Sequence, residues 1–557
     1  MILGIDVGGT HTDAVLIENL SIKRKTKVPT DEKNLLNSLL AVTTALLRDE
    51  QPEKLERVVL STTISTNAIV QKKTDRVGMI LISGPGLPPF LLPVQEDSIH
   101  IRGYSNHRGA EMAAIDPDEV RGAERRFRED GIGHVGVVGK FSTRNPKQEA
   151  AVRDLLTGSF RHVSMGHRLS GHLNFPRRIA TTYLNESIWR RYSAFITQIQ
   201  GFVREQGIRV PIYILKADGG TFNIDHSLEF PVQTILSGPA ASIMGILSMA
   251  RCRQDAIALD VGGTTTDIAL FADGVPLLEP FGVTIEGHKT LIRGLKTRSI
   301  GVGGDSLVSV EAGHIRIGPL REGPAAAFGG PCPTPTDAMI VLGRTDIGDA
   351  SLARKAMEGI GRQLNLEPLE AARAVYEETC RIISEAVTAM IEEVNNQPVY
   401  TIHEILEGKK LVPRTVFVVG GPAGAVAPRL AELLACPARI PEHAEVANAI
   451  GAALARTTAE MTILADTEQR ILTIAEEGHQ ESIAARFSRA DAIRIGKERL
   501  REKAKAMGAR EEDLEIEVIE DMEFNMVHQF YTTGKNIRVK VQVKPGLIAG
   551  FAAGETI

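Results

Sequence analysis

The chain has 557 residues, 43% hydrophobic and 24% charged, with a formal net charge of −5, so it holds more than one globular domain of soluble character. The mildly acidic balance, without a basic stripe, excludes a nucleic-acid footprint, and no apolar segment reaches the roughly 18 residues that span a membrane. The N-terminus reads as a core strand from Ile2 rather than a signal peptide, and Cys252, Cys332, Cys380 and Cys436 are scattered without a Cys-x-x-Cys, so a cytoplasmic location with reduced thiols is expected.

Apolar runs over 2–5 and 14–17 flank Asp6-Val7-Gly8-Gly9-Thr10-His11-Thr12-Asp13, which predicts strand, glycine turn, strand. A helix is predicted over 35–47, strands over 57–61 and 76–83, a charged helix over 117–130 with Pro117 just inside its start, and a strand over 134–138. A long helix over 181–205 and a strand over 212–216 lead to Asp218-Gly219-Gly220. Leu236-Ser237-Gly238-Pro239-Ala240 opens a small-residue helix before Asp260-Val261-Gly262-Gly263-Thr264-Thr265-Thr266-Asp267, again flanked by apolar runs. Residues 351–395 read as helical. A strand over 415–419 precedes Gly420-Gly421-Pro422-Ala423-Gly424 and an amphipathic stretch over 426–434, and an alanine-rich helix over 445–457 follows. Strands and helices in alternation give the α/β class. From about residue 460 the texture changes to strands over 470–476 and 514–519, a charged helix over 490–507, and a strand over 536–543 that alternates Lys and Arg with Ile and Val. That last strand reads as an exposed basic edge that protects against aggregation. The expected organisation is an N-terminal half over 1–168, a second half over 169–459 and a small α+β appendage over 460–557.

The two glycine phrases agree at seven of eight positions. Two such hairpins far apart imply two similar half-domains facing each other. Gly8, Gly9, Gly262 and Gly263 let backbone N–H groups approach an anion closely, and Thr10 and Thr264 add hydroxyl donors. Asp6 and Asp260 would repel a bare phosphate, so they imply a cation. Magnesium fits, because it keeps waters and is usually held by one or two carboxylates plus phosphate oxygens.

This pair resembles the phosphate loops of the actin, Hsp70 and sugar-kinase superfamily, in which two ribonuclease-H-like halves close on ATP around a nucleotide cleft. The resemblance implies a third glycine turn for adenosine late in the second half, where Gly420 to Gly424 stand. Over roughly residues 1–455 the chain also resembles the hydantoinase/oxoprolinase A family: N-methylhydantoinase A subunits, 5-oxoprolinases and related subunits of acetone and acetophenone carboxylases. Besides the hairpins, the carriers are Ser61-Thr62-Thr63-Ile64-Ser65-Thr66-Asn67-Ala68, Thr181-Thr182-Tyr183-Leu184-Asn185 and Asp218-Gly219-Gly220. Leu236 to Ala240, Gly301-Val302-Gly303-Gly304-Asp305-Ser306 and Pro335-Thr336-Asp337-Ala338 with Leu342-Gly343 complete them. The chain departs from the family's pattern at Gly323-Pro324-Ala325-Ala326-Ala327-Phe328, at Gly166-His167-Arg168, and at His11, where a Phe is common.

The resemblance implies ATP-dependent activation of a small-molecule carbonyl substrate. The compound would be a cyclic amide of hydantoin or 5-oxoproline type, whose oxygen takes the γ-phosphoryl group before ring opening. ATP and Mg2+ would be the cofactors. Asp6 and Asp260 would enter the magnesium shell, with Gly8, Gly9, Thr10, Gly262, Gly263 and Thr264 on the phosphates. Gly303 and Gly304 would close over phosphate or substrate, and Gly420, Gly421 and Gly424 would border adenosine. Asp267 or Asp13 would polarise a nucleophile or water, or else cap its hairpin. A separate B-type hydantoinase subunit and a second copy of the chain are the partners to consider, with no nucleic acid and no membrane. The ATP-using subunit of a ketone carboxylase, a small-molecule kinase and an ATP-gated switch remain open. Among other candidates, His162, His167 and His172 recur every five residues and raise a metal site against three ordinary histidines. Cys332 is either a reactive thiol or an inert one, and Arg177 with Arg178 either binds an anionic substrate or pairs with surface acids.

Overall fold

The computed structural model describes residues 1–19, 21–31, 34–92, 96–250, 253–396 and 410–549, so Cys252 lies outside the described residues. Strand Ile2–Val7 is apolar on both faces apart from Asp6, as a central strand must be, and it is buried along its whole length. It anchors a sheet in the order Ser21–Pro29, His11–Glu18, Ile2–Val7, Arg57–Thr62, Ile212–Leu215 and Thr221–Asn223. The first three strands are antiparallel, and the next two run parallel to Ile2–Val7. A second sheet repeats the plan: Val275–Pro276, Thr266–Ala272, Ala256–Val261, Thr415–Val419 and Ala438–Arg439, the last two parallel to the central strand. The protein is thus mixed α/β with a duplicated sheet order. The first sheet takes Ile212–Leu215 and Thr221–Asn223 from beyond residue 168, so sheet membership crosses the boundary expected there.

Two helices, Ser237–Met249 and Ala447–Leu454, tie the sheets together. Their closeness depends on missing side chains. A Cβ at Gly245 would stand 2.1 Å from the Ala447 carbonyl oxygen, one at Gly451 2.0 Å from that of Ala241, and one at Gly4 2.4 Å from that of Ala449. The alanine-rich helix therefore nests against both Ile2–Val7 and the other helix at backbone distance. It spans Ala447–Leu454, shorter than the expected 445–457.

A four-stranded parallel sheet, His162–Met165, His134–Gly139, Gly78–Ile82 and Ser98–His100, stands beside the first one. The long helix is Phe175–Glu205 and starts earlier than expected, because the Asn174 side chain accepts from Arg177 N and a proline occupies the first turn. Residues 351–395 divide into Ala350–Leu364 and Pro368–Asn395, since Asn365 takes a left-handed conformation (φ 57°) and Pro368 starts a new helix.

The C-terminal sheet is antiparallel throughout, in the order His479–Ser482, Ile471–Ile474, Glu460–Asp466, Tyr531–Val543 and Ile516–His528, with helix Arg489–Ala506 against it. The basic strand expected at the edge is an interior strand. Ile537, Val539, Val541 and Val543 are buried. Its cations face acids on both neighbours: Lys540 lies 2.8 Å from Glu460 and Arg538 2.8 Å from Glu520. Ile516–His528 forms the edge instead. Met461, Ile463 and Val539 of this sheet share one apolar core with Leu3, Ile5 and Leu60 of the first.

Candidate functional site

The two glycine hairpins fold alike. In the first, Asp6 pairs across with Asp13 and Val7 with Thr12; in the second, Asp260 pairs with Asp267 and Val261 with Thr266. Each turn closes by the same bond, Gly8 N to His11 O at 3.0 Å and Gly262 N to Thr265 O at 2.9 Å. Asp6 and Asp13 are buried, and Asp260 and Asp267 are partly covered.

A polar bridge joins the two hairpins. Asn448 Nδ2 donates to Asp6 Oδ2 at 3.2 Å, Asn448 Oδ1 lies 2.8 Å from Ser242 Oγ, and Ser242 Oγ bonds Asp260 Oδ2. Ser242 Oγ thus stands between two acceptors, the Asn448 amide oxygen and the Asp260 carboxyl. Burial raises the Asp260 carboxyl, against the Ser242 bond. Ser242 and Asn448 sit on the two helices whose glycines permit the close approach. Sequence reasoning missed both, although a lone Asn in an alanine-rich helix was a usable signal.

All four carboxyls are raised, and burial is the main cause in each. For Asp6 it outweighs Ser61 and Asn448, and nearby Asp260 adds to it. Asp13 is pushed up to about 7 despite Lys27, and Asp267 to about 7 with Asp260 adding to the effect. Lys27 Nζ lies 2.9 Å from Asp13 Oδ2 and 3.1 Å from the Glu445 carbonyl oxygen. This cation on the third strand is a second feature missed from sequence; it stands at one of the exposed positions of its alternating strand. Asp6 Oδ1 and Asp13 Oδ1 are buried without a hydrogen-bond partner among the described residues. Buried carboxylate oxygens so placed are suited to a cation.

The loops around each turn differ. Thr30 braces the first: its N donates to Thr10 O at 2.9 Å and its Oγ1 to Gly8 O at 2.9 Å. A Cβ at Gly9 would meet nothing within 4 Å, so the space beside this turn is open. The second turn is covered by residues 301–306. Gly304 N donates to Gly262 O at 2.9 Å, Asp305 N to Gly263 O at 2.6 Å, and Ser306 Oγ to Thr264 O at 3.3 Å. A Cβ at Gly303 would come 2.7 Å from Gly262 O. Gly303 and Gly304 therefore lie on the turn itself. Gly420 (φ +94°) packs against the same hairpin, where a Cβ would stand 2.2 Å from Val261 O and 2.8 Å from Asp260 Oδ1. Gly421 and Gly424 face open space. Across the opening, His11 lies near Lys27, Asp305 and Arg321, and burial lowers its pKa. Arg321 reaches Asp305 at 3.3 Å.

The Ser61–Ala68 and Leu236–Ala240 motifs meet. Ser237 Oγ donates to Thr62 O at 3.0 Å, and Leu236 N, on a residue with φ 63°, donates to Thr66 Oγ1 at 3.0 Å. Asp337 accepts from Thr334 N, Ala326 N and Ala327 N, so it orders the 326–337 region by capping.

The other candidates fall apart. His162 bonds Glu186 at 2.6 Å, His167 bonds Glu149 at 2.5 Å, and His172 lies 3.2 Å from Lys540, so the three histidines have separate partners. Among the described residues no three His, Cys, Asp or Glu side chains form a metal cluster. Arg178 is fully buried and donates to the carbonyl oxygens of His172, Gly139 and Lys140, while Arg177 Nη1 donates to the Thr290 carbonyl oxygen at 3.2 Å. Both fix backbone rather than meet an anion or a surface acid. Cys332 Sγ donates to Glu322 at 2.8 Å, which raises its pKa and keeps it a thiol. No helix of the described residues is long and apolar enough to cross a membrane.

Duplicated hairpins, a repeated sheet order and carboxylates bridged across the join define a mixed α/β protein with a buried acidic seam. The chain belongs to the hydantoinase/oxoprolinase family: the family's N-terminal region matches residues 2–159, and the hydantoinase/oxoprolinase model matches residues 178–461. It is 27% identical over 482 residues to caprolactamase subunit alpha of Pseudomonas jessenii, covering 77% of this chain and 66% of that one. It is 24% identical over 432 residues to the acetophenone carboxylase gamma subunit of Aromatoleum aromaticum, covering 67% and 58%. The chain thus spans less than two thirds of either relative. A nucleotide-free acetone carboxylase structure, described in terms of ATP-dependent acetone carboxylation, shares the fold, with a TM-score of 0.74 and 17% identity over 99% of this chain and 88% of that one. The family is one of ATP-dependent enzymes, several of whose members are subunits.

Proposed function

We propose that this chain is the ATP-using subunit of a cyclic-amide hydrolase of hydantoinase/oxoprolinase type, built as two ribonuclease-H-like halves closing on Mg-ATP. The observation that carries the reading is the matched register of the hairpins, which sets Asp6, Asp13, Asp260 and Asp267 at one seam linked through Asn448 and Ser242. The donors fit magnesium: of the proposed pair, Asp6 has a buried carboxylate oxygen, Oδ1, without a partner among the described residues, and Asp260 is joined to it through Ser242 and Asn448. Magnesium commonly takes its remaining ligands from water and phosphate.

Asp6 and Asp260 would hold the metal. Gly8, Gly9, Thr10, Gly262, Gly263 and Thr264 would face the phosphates, and Gly420, Gly421 and Gly424 the adenosine. Bound Mg-ATP would supply a γ-phosphoryl group for the amide oxygen, giving a poor electrophile a good leaving group. The chain's own part is positioning and charge. Lys27 offsets Asp13, and Asp13 or Asp267, each with a carboxyl near neutrality, would accept the proton of a nucleophile or water at a carboxylate oxygen. His11, Asp305 and Arg321 would line the opening. The relatives' names as alpha and gamma subunits support a partner chain for ring opening.

The test is phosphate release from Mg-ATP, alone and with hydantoin, N-methylhydantoin, 5-oxoproline, or acetone plus bicarbonate. Stimulation by a cyclic amide, abolished in Asp260→Ala, is the expected result. Stimulation only with bicarbonate and ketone would move the reading to a carboxylase subunit, and failure to bind ATP would end it.

A further inference from the structure

A cavity of about 60 Å³, lined by none of the hairpin residues, lies between the end of strand Ile212–Leu215, residues 291–293 and the C-terminal sheet. At its wall Asp218 is fully engaged. Its Oδ1 accepts from Gly220 N at 3.0 Å; its Oδ2 accepts from Thr458 Oγ1 at 2.9 Å and lies 3.4 Å from Lys216 Nζ and 3.2 Å from Arg293 Nη1. Burial works against this carboxylate, but Lys216 and Arg293 hold its pKa below the usual value. Lys216 Nζ also donates to the Thr458 carbonyl oxygen at 2.9 Å. Glu460, the next acid on the wall, pairs with Lys540 at 2.8 Å.

Two buried atoms at this wall lack a hydrogen-bond partner among the described residues, Arg293 Nη2 and Glu460 Oε2, the second lying in its ion pair with Lys540. A buried N–H without a partner costs about 1–3 kcal/mol, more when charged, so the fold gains by presenting it to an acceptor. Of the acids on the wall, Asp218 meets the other guanidinium nitrogen, Nη1, Glu460 lies close enough for Arg293 to lower its pKa, and Glu476 accepts from Thr462 N and Oγ1. A guanidinium edge is planar and suits a flat oxyanion. At roughly 10–15 Å³ per water on this scale, the cavity holds about four waters, or one anionic group of three or four heavy atoms.

We propose that Arg293 Nη2, backed by Lys216, binds a small planar oxyanion of the carboxylate or bicarbonate class in this cavity. Arg293 then bridges Asp218 and the anion. The pocket stands apart from the nucleotide chemistry and can be tested without ATP. The same chemistry serves a free anion or the carboxylate of a larger molecule, and the probes separate these.

The full chain is titrated calorimetrically, at constant ionic strength in chloride, with sodium bicarbonate, sodium acetate, 5-oxoproline and the uncharged lactam 2-pyrrolidinone. At least one anion is expected to bind in a manner that depends on Arg293, whereas any binding of the uncharged lactam is expected to be the same in the wild type and the variants. Binding of acetate or bicarbonate alone identifies a free anion as the source; binding of 5-oxoproline identifies a substrate carboxylate. Arg293→Gln is expected to weaken binding at least about tenfold, a loss of about 1.4 kcal/mol, while ATP affinity is unchanged. Should that variant not fold, Arg293→Lys, which keeps the charge and loses the fork, is expected to weaken binding severalfold. No anion binding to the wild-type chain, or equal binding to wild type and the variants, overturns the proposal.

Discussion

The first and second glycine hairpins share sequence, register and turn bond, yet their surroundings are opposite. The first carries a cation, Lys27, on its neighbouring strand and leaves open space at Gly9. The second has no such cation in its bonded shell among the described residues; it is wrapped by the backbone of residues 301–306 and by Gly420, and Ser299 works against the burial that raises Asp267. Duplicated geometry therefore does not mean duplicated role. The open, cation-bearing side is suited to an exchanging ligand, and the wrapped side to a fixed frame.

The sharpest way to break this comparison is to remove, on each side, the carboxylate proposed to hold the metal. Asp260→Ala and Asp6→Ala are each expected to lower substrate-stimulated phosphate release by about 10²–10³-fold, as loss of a preorganised electrostatic group does. A much smaller loss at Asp6 would mean that only the wrapped hairpin serves the metal. Next comes the frame. Gly451→Val places a side chain 2.0 Å from the Ala241 carbonyl oxygen and is expected to cost about 3 kcal/mol or more, read as a lower denaturation midpoint at unchanged m-value.

The bridge between the halves should give less. Ser242→Ala leaves Asp260 and Asn448 short of a partner, so a loss of about 1–3 kcal/mol is expected in equilibrium unfolding. Asn448→Ala in the same background should then add little, because both belong to one network. Lys27→Met sharpens the comparison from the open side. Without the cation the Asp13 carboxyl rises further, so the acidic limb of the turnover profile should move to higher pH, with no such move for Lys25→Met.

A further effect concerns pH and the wrapped side. Asp267 has a folded pKa of about 7, above the usual 3.8, so its stabilising contribution is full below the unfolded value and is lost as pH rises through 7. Asp267→Asn removes this dependence. In buffer free of magnesium and nucleotide, unfolding curves between about pH 5 and 8 should shift progressively in favour of the variant. A pH-independent difference would show that Asp267 is ionised throughout.

Much of this was readable before any coordinates. The strands at 2–7 and 256–261 announce themselves as apolar runs ending in Asp-Val-Gly-Gly-Thr, and the family's motifs fall where the structure builds the seam. What escaped were features set by distant partners. Ser242 and Asn448 are separated by 206 residues and meet only because two glycines let their helices touch. Lys27 stands among the exposed positions of an alternating strand, and its role appears only when the fold brings its Nζ to Asp13 and the Glu445 carbonyl oxygen. The strand at 536–543 looked like a basic edge because its cations were visible in sequence while the acids that pair with them, Glu460 and Glu520, stand on other strands.

By itself, the sequence determined the local elements and the duplicated phrase, because glycine turns, caps and apolar periodicity act over a few residues. Tertiary structure alone decided which carboxylates share a seam, that Arg177 and Arg178 hold backbone, that the three histidines go to separate partners, and that Arg293 is left facing a cavity. Those outcomes depend on burial and on partners far away in the chain, and both arise only when the sheets and helices close on one another.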